Sequence, residues 1–513
     1  MGVAEQTEPA DITSCDVLVV GAGFSGVYAI HKFRQLGLTV KAFEAGGDLG
    51  GVWHWNRYPG ARVDSEWPYY QLRIPEVWKD FDFSERFPTH DEVRRYFAHA
   101  DTILDLKKDI WFHTRVSSAT WDDADSRWTV RTEGGHVAVC KYLCLCTGVL
   151  HRQHLPGFPG IEDFKGQIYH SAAWPDDVDV SGKRVGLVGA GATAVQIVQE
   201  LSKQASHFTM FMRQPNICLP MNNRPINEKE HASWRTFFPL LFDAGRKSNS
   251  GFPVPPPTCG MFDLTDEARD EWYEQMWNAG AFHFVGGNFR DVSDGPIEPP
   301  YPIFTRRYPL EHDYYESLDR DNVDIVNLRQ SPIKTFTETG VLTEDGAHEL
   351  DYLILATGFD AFTGSVATMN AISKDGVSMK DVWKSGIRTY LGILVHGFPN
   401  CFLSYGPQSP TILSNGPTIL ECQIDFIADT IAKMEKEGLC SVEPTEQAED
   451  QWKERISSIS RWTLFVENDS WWTGASISRK KKELLVYIGG IPSYEKECQE
   501  TLDGWKGFEI KIG

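Results

Sequence analysis

One pattern occurs twice in this chain of 513 residues and limits most of what it can become: a short apolar run, a glycine-rich turn, a helix and a second apolar run. In the first copy Asp16 to Val20 (DVLVV) shows no polar alternation, as a strand covered on both faces of a parallel sheet does. Gly21, Gly23 and Gly26 follow at once, VYAIHKFRQLG reads as a helix closed by Gly37, and TVKAFEA is a second strand ending near Glu44. Glycines at these spacings let a pyrophosphate approach a helix N-terminus, and an acid at the end of the second strand accepts ribose hydroxyls.

The second copy runs from Lys183 to Val188 (KRVGLV) through Gly189, Gly191 and Ala194, the helix AVQIVQELSKQA and the strand HFTMFM to Arg213. Arg213 stands where the first copy has Glu44. An arginine there suits a ribose 2'-phosphate, which an acid would repel. The pair of units therefore predicts one site for FAD and one for NADPH. The other reading of Arg213 is a solvated strand end. Two further apolar runs, Tyr142 to Gly148 and Asp351 to Asp360, end in Thr-Gly and bring the chain back out of a nucleotide domain, so the second unit is expected as an insertion within the first.

The expected fold is α/β: two Rossmann-like dinucleotide-binding domains, the NADPH domain inserted in a discontinuous FAD domain, plus a helical excursion. The expected bounds are 1–150 and 356–513 for FAD, 151–215 and 301–355 for NADPH, and 216–300 for the excursion. That last stretch is proline-rich and aromatic, with DEARDEWYEQMWNAGAF reading as a helix, and is expected to lie over the nicotinamide domain as an access wall or a packing cap. Beyond residue 416, Leu420, Ile424, Ile427, Ile431 and Met434 recur at spacings of four and three, an amphipathic helix docked on the core.

A formal net charge of -21 argues against nucleic acid and anionic membranes as partners. Ten cysteines form no CxxC pair and no metal-like cluster, which points to reduced thiols, no metal site and a cytoplasmic location. No run of about eighteen apolar residues suggests a membrane span, and the first fourteen residues lack the blocks of a signal peptide. With no redox cysteine pair and no metal, electrons passing from nicotinamide to flavin are expected to reach dioxygen. A reduced flavin holds oxygen as a C4a-peroxide, and a peroxyanion that is to attack a carbonyl needs a fixed cation beside it.

Phe164 to Asp176, FKGQIYHSAAWPD, joins the two glycine turns. Through Phe164, Gly166, His170, Trp174 and Pro175 it resembles the FxGxxxHxxxWP fingerprint of Baeyer-Villiger flavin monooxygenases. GGVWHWNRYPGARVD is similar to a longer pattern of the same family through Gly50, Gly51, Trp53, Tyr58, Pro59, Gly60 and Asp64. The resemblance implies an enzyme that uses NADPH and O2 to insert oxygen beside a ketone carbonyl, giving an ester or lactone. It further implies Arg307 as the catalytic arginine, Asp64 as the acid that holds it, Arg306 beside Arg213 near the 2'-phosphate, and Gly51 and Trp53 at the flavin. Trp471 would belong to a loop over the nicotinamide, and His170 would be a hinge of the joint without a proton-transfer role.

Read by themselves, Arg306 and Arg307 also fit a solvated pair, Asp64 a turn acid, Trp471 core packing and Trp174 the filling of a domain seam. Two departures stand out. Ser476 to Lys480 replaces the family's Pro-Gly turn, with Lys480 at its lysine place, and Gln214 follows Arg213 where the family has a hydroxyl. Alternative outcomes are an N- or S-monooxygenase of the same broad class, or an NADPH-flavin electron-transfer reductase.

Overall fold

The fold comes from a computed structural model that describes residues 12–252, 254, 259–286, 289, 305–411, 414–461, 463–475 and 481–513. β1 (Ile12–Val20), α1 (Phe24–Gln35), β2 (Val40–Phe43) and β3 (Val137–Leu145) form the first unit, with β1 parallel to and between β2 and β3 in an eight-stranded sheet. Val17, Leu18 and Val19 are wholly buried, which is why that run tolerates no polar alternation.

β4 (Gln167–His170), β5 (Arg184–Val188), α2 (Ala192–Leu201), β6 (His207–Met212), β7 (Val323–Asn327) and β8 (Tyr352–Leu355) build a second sheet, ordered β7-β6-β5-β8-β4 and parallel throughout. Val195, Ile197, Val198 and Leu201 of α2 cover one face of it, and Phe164, Phe336, Leu350 and Leu353 fill the other. The chain thus leaves the first sheet after β3, builds the second, and returns first at its edge through Ala371–Ile372 and then through β9 (Cys401–Leu403), which pairs parallel with β3 at Phe402 opposite Cys144.

The long insertion departs from expectation. Its first helix, α3 (Glu228–Lys247), joins the hydrophobic core that surrounds the first sheet and does not lie over the nicotinamide unit. Trp67 and Trp78 offer an aromatic surface there, and Phe238 packs on them at 6.0 and 5.3 Å between ring centroids. Arg246 near its end binds Asp425 at 2.7 Å. Burial of such rings, worth roughly 1.5–3 kcal/mol each, decides the location of the helix. α4 (Asp266–Ala279) buries none of its residues. The proline run at Pro253 to Pro257 lies largely outside the described residues.

α5 (Gly416–Glu437) buries Leu420, Ile424, Ile427, Ile431 and Met434 as the spacing predicts, and packs along α1. Charge also links the two helices: the Tyr28 hydroxyl donates to Asp425 at 2.9 Å, and Lys32 pairs with Asp425 at 3.2 Å. Glu421, fully buried, accepts from the backbone N–H and side chain of Arg73; burial pushes its carboxyl up to about 7, with Arg73 offsetting only part. α6 (Ile491–Leu502) closes the same face through Glu495, a second partner of Arg246.

Candidate functional site

Both glycine turns open on one cleft of about 1430 Å³, above the roughly 300–1,000 Å³ of ordinary small-molecule pockets. Its wall includes Gly21, Gly23, Glu44, Gly50 and Gly51 on one side and Gly189, Gly191 and Arg213 on the other. In the first turn Gly21 has φ +105°, and a Cβ there would sit 2.5 Å from the Cys146 carbonyl oxygen. Gly26 does not line the cleft; a Cβ on it would meet the Gly21 carbonyl oxygen at 1.9 Å, so it serves the close approach of α1 to the turn. Glu44 accepts the Ala22 N–H at 2.7 Å and the Gly46 N–H at 2.6 Å. Desolvation raises its pKa although both backbone donors and Arg115 pull it down. In the second turn Gly189 has φ +130° and its missing Cβ would meet the Ala356 carbonyl at 2.4 Å, while Ala194 is buried behind the wall. Backbone held this close, without side chains, fits two dinucleotides carrying pyrophosphate.

The segment 50–64 connects the units. The Gly50 N–H donates to the Ala22 carbonyl at 2.9 Å, at the first turn. Tyr58 then donates to Gln196 on α2 at 2.9 Å, and Gly60 lies so near α2 that a Cβ would be 2.7 Å from the Gln196 carbonyl. Arg57 pairs with Asp176 of the joining stretch at 2.6 Å. Trp174, buried, packs into the second sheet's core with its neighbours facing that seam. His170 uses both ring nitrogens: Nδ1 accepts the Ala172 N–H and Nε2 donates to the Gly358 carbonyl, each at 3.1 Å. Burial lowers its pKa, so the ring is a neutral strut between β4 and the turn after β8.

The same segment ends at Asp64, which takes two hydrogen bonds from Arg307, Nε to Oδ2 at 2.6 Å and Nη2 to Oδ1 at 2.7 Å. Burial works against the charge on Arg307, but the Asp64 carboxylate outweighs it and the guanidinium pKa moves up. Its side chain is 25% exposed, enough to face the cleft it lines. Phe282 covers it at 4.6 Å from guanidinium carbon to ring centroid, a cation–π contact. The arrangement is a permanent cation, oriented by a bidentate acid and sealed by an aromatic ring.

Arg306 also lines the cleft, reaching Gln214 at 3.4 Å and Asn468 at 3.5 Å. Asn468 in turn donates to Thr305 at 2.8 Å, which ties the stretch before Trp471 to the arginine pair. Trp471 stands in the cleft wall, stacked on Phe362 at 5.8 Å. Ser476 to Lys480 lie outside the described residues. Trp53 is not in the wall: its indole N–H donates to the Tyr70 hydroxyl at 2.9 Å, and Tyr70 and Trp55 line the cleft in its place. Tyr70, Phe282, Arg329 and Tyr405 escaped sequence reasoning, because none belongs to a pattern that names it.

A Flavin-binding monooxygenase-like family model matches residues 14–221. Cyclopentanone 1,2-monooxygenase of a Comamonas species is 36% identical over 96% of this chain and 96% of its own length. Phenazine N-monooxygenase PhzNO1 of Lysobacter antibioticus is 34% identical over 97% of each chain. The crystal structure of cyclohexanone monooxygenase from Rhodococcus sp. Phi1 bound to NADP+ superposes with a TM-score of 0.94 at 33% identity, covering 98% of this chain and 100% of the other. Likeness of this extent, over both sheets and the segment that joins them, means that the chain belongs to the Baeyer-Villiger flavin monooxygenase family.

Proposed function

We propose that this protein inserts one atom of dioxygen between the carbonyl carbon of a small ketone and its neighbouring carbon, giving an ester or lactone, while the second oxygen leaves as water. FAD and NADPH are its cofactors. Bound flavin, once reduced by NADPH, supplies the activated dioxygen. The bidentate Arg307–Asp64 pair in the cleft shared by both turns carries the reading. Arg307 cannot give up its proton at working pH, so it stabilises negative charge developing on oxygen during attack on the carbonyl. Asp64 fixes the direction of the guanidinium. Gly21, Gly23, Gly26, Glu44 and Gly51 serve the flavin, with Trp53 acting through Tyr70. Gly189, Gly191, Ala194, Arg213 and Arg306 would hold NADPH, and Trp471 in the cleft wall would cover its nicotinamide.

On this reading residues 1–150 and 356–513 are the flavin domain, 151–215 and 301–355 the nicotinamide domain and 216–300 the insertion. Ten cysteines without a disulfide support a reducing, cytoplasmic setting, and a net charge of -21 argues against nucleic acid or an anionic membrane as partner. Kinship with a phenazine N-monooxygenase supports N-oxygenation as a second reading. A panel of ketones, amines and sulfides under 18O-labelled dioxygen separates the two: labelled ester or lactone from ketones is expected. Labelled N-oxide with no ester from any ketone would replace the first reading with the second.

A further inference from the structure

β6 runs out into Arg213 and Gln214, and its neighbour β7, the edge strand, into Leu328 and Arg329. Asn327 is the register partner of Met212, and the Leu328 N–H donates to the Met212 carbonyl at 2.8 Å, so the pairing continues past both strand ends. That brings Arg329 beside Gln214. Nη2 of Arg329 donates to Gln214 Oε1 at 3.3 Å, and Nη2 of Arg306 reaches the same oxygen at 3.4 Å. The backbone at Arg329 is itself held, its N–H donating to the Asn327 side chain at 3.0 Å. Arg213, Gln214, Arg306 and Arg329 all line the cleft. Among the described residues no carboxylate forms an ion pair with Arg213 or Arg329.

Two guanidiniums share one neutral amide, with Arg213 next to it in the chain and in the same cleft wall, and a dianion within their reach would be attracted by all three. We infer that Arg329, held in place by Gln214, is a third recognition arm for a ribose 2'-phosphate and helps set the preference for NADPH over NADH. The inference rests on the reading that Arg213 and Arg306 mark the phosphate end of the nicotinamide site. It also accounts for Gln214, since an amide oxygen there can hold two guanidiniums from different segments, where the family's shorter hydroxyl stands in other chains.

The test is calorimetric titration of the FAD-loaded protein with adenosine 2',5'-bisphosphate and with adenosine 5'-monophosphate, which differ only in the 2'-phosphate. Arg329→Ala is expected to weaken the bisphosphate about tenfold and to leave the monophosphate unchanged. Arg329→Glu should weaken it further. Gln214→Ala combined with Arg329→Ala should lose less than the sum of the single losses, because one removes the support of the other. The NADPH to NADH ratio of kcat/KM should fall by the same factor as the bisphosphate affinity, with kcat at saturating NADPH retained. If both Arg329 variants bind the bisphosphate within twofold of wild type while Arg213→Ala does not, the role of Arg329 is refuted and the phosphate reading stands. If the wild-type protein binds both nucleotides alike, both are refuted.

Discussion

The two glycine turns share a hydrogen-bond plan and differ in what surrounds them. Gly21 and Gly189 donate to the carbonyls of Phe43 and Phe211, at the ends of the neighbouring strands, at 2.8 and 3.0 Å. Cys146 and Ala356 donate to Val20 and Val188, each at 2.9 Å. Beyond that plan they separate. A Cβ on Gly23 would lie 3.3 Å from Gly51 Cα, whereas one on Gly191 would have nothing within 4 Å. At the third glycine position Gly26 permits no methyl group, and Ala194 already carries one. The first helix is clamped from outside by α5 and its charges; the second is met by the short helix Tyr314–Leu318, by the 58–62 segment and by Gln199 contacts to residues 312 and 313. The first turn is therefore the more closely braced of the two, which is what a resident flavin requires more than an exchanging nicotinamide does.

The largest expected effect lies where the two units meet. Arg307→Ala should leave flavin reduction by NADPH intact and lower ester formation by about 10²–10³-fold, measured as product per NADPH consumed. Normal yield from that variant would remove the joint from the account. Next, Gly26→Ala forces a methyl group against backbone and should destabilise by about 3 kcal/mol or more, read as lost flavin absorbance per protein and a lower Tm. Ala194→Gly in the second unit should cost about 1 kcal/mol and keep the flavin. Equal losses from both would erase the asymmetry.

The outer clamp of the first unit sharpens the comparison through pH. Glu421 has a carboxyl pKa of about 7 in the fold against 4.5 for an ordinary glutamate. Between these values the folded chain keeps a proton that the unfolded chain has lost, so stability falls as pH rises across that window, by about 3 kcal/mol. Glu421→Gln should flatten that part of a Tm-against-pH curve; an unchanged slope would assign it to other groups. Smallest is Gly191→Ala: its methyl group enters open space, so stability should change by less than about 1 kcal/mol. Flavin content should stay constant while KM for NADPH rises a few-fold. A loss of flavin instead would mean that the second turn is as confined as the first.

Local chemistry made much of this legible in advance. Glycine spacing, strand composition and the contrast of Glu44 with Arg213 each depend on residues near one another in the chain, and the α5 stripe is read from one helix. What stayed hidden depends on distant contacts. Trp53 faces Tyr70 and not the cleft because the short helix that carries it turns the indole inward. α3 packs on the core around the first sheet through Trp67 and Trp78, and no pattern inside the insertion reports that. Phe282 meets Arg307 across 25 positions of sequence, several outside the described residues. Arg329 had a usable signal: it follows a strand that must neighbour the one ending in Arg213, and such strand ends form the rim of a nucleotide site.

Asp64 and Arg307 are 243 positions apart and stand on the two sides of the seam, one at the end of the bridging segment, the other in the stretch leading to β7. A nascent or half-unfolded molecule in which those sides have parted could still hold flavin, yet its arginine would point nowhere in particular. Oxygen transfer to a ketone, as proposed, thus depends on both sides of the seam being in place at once.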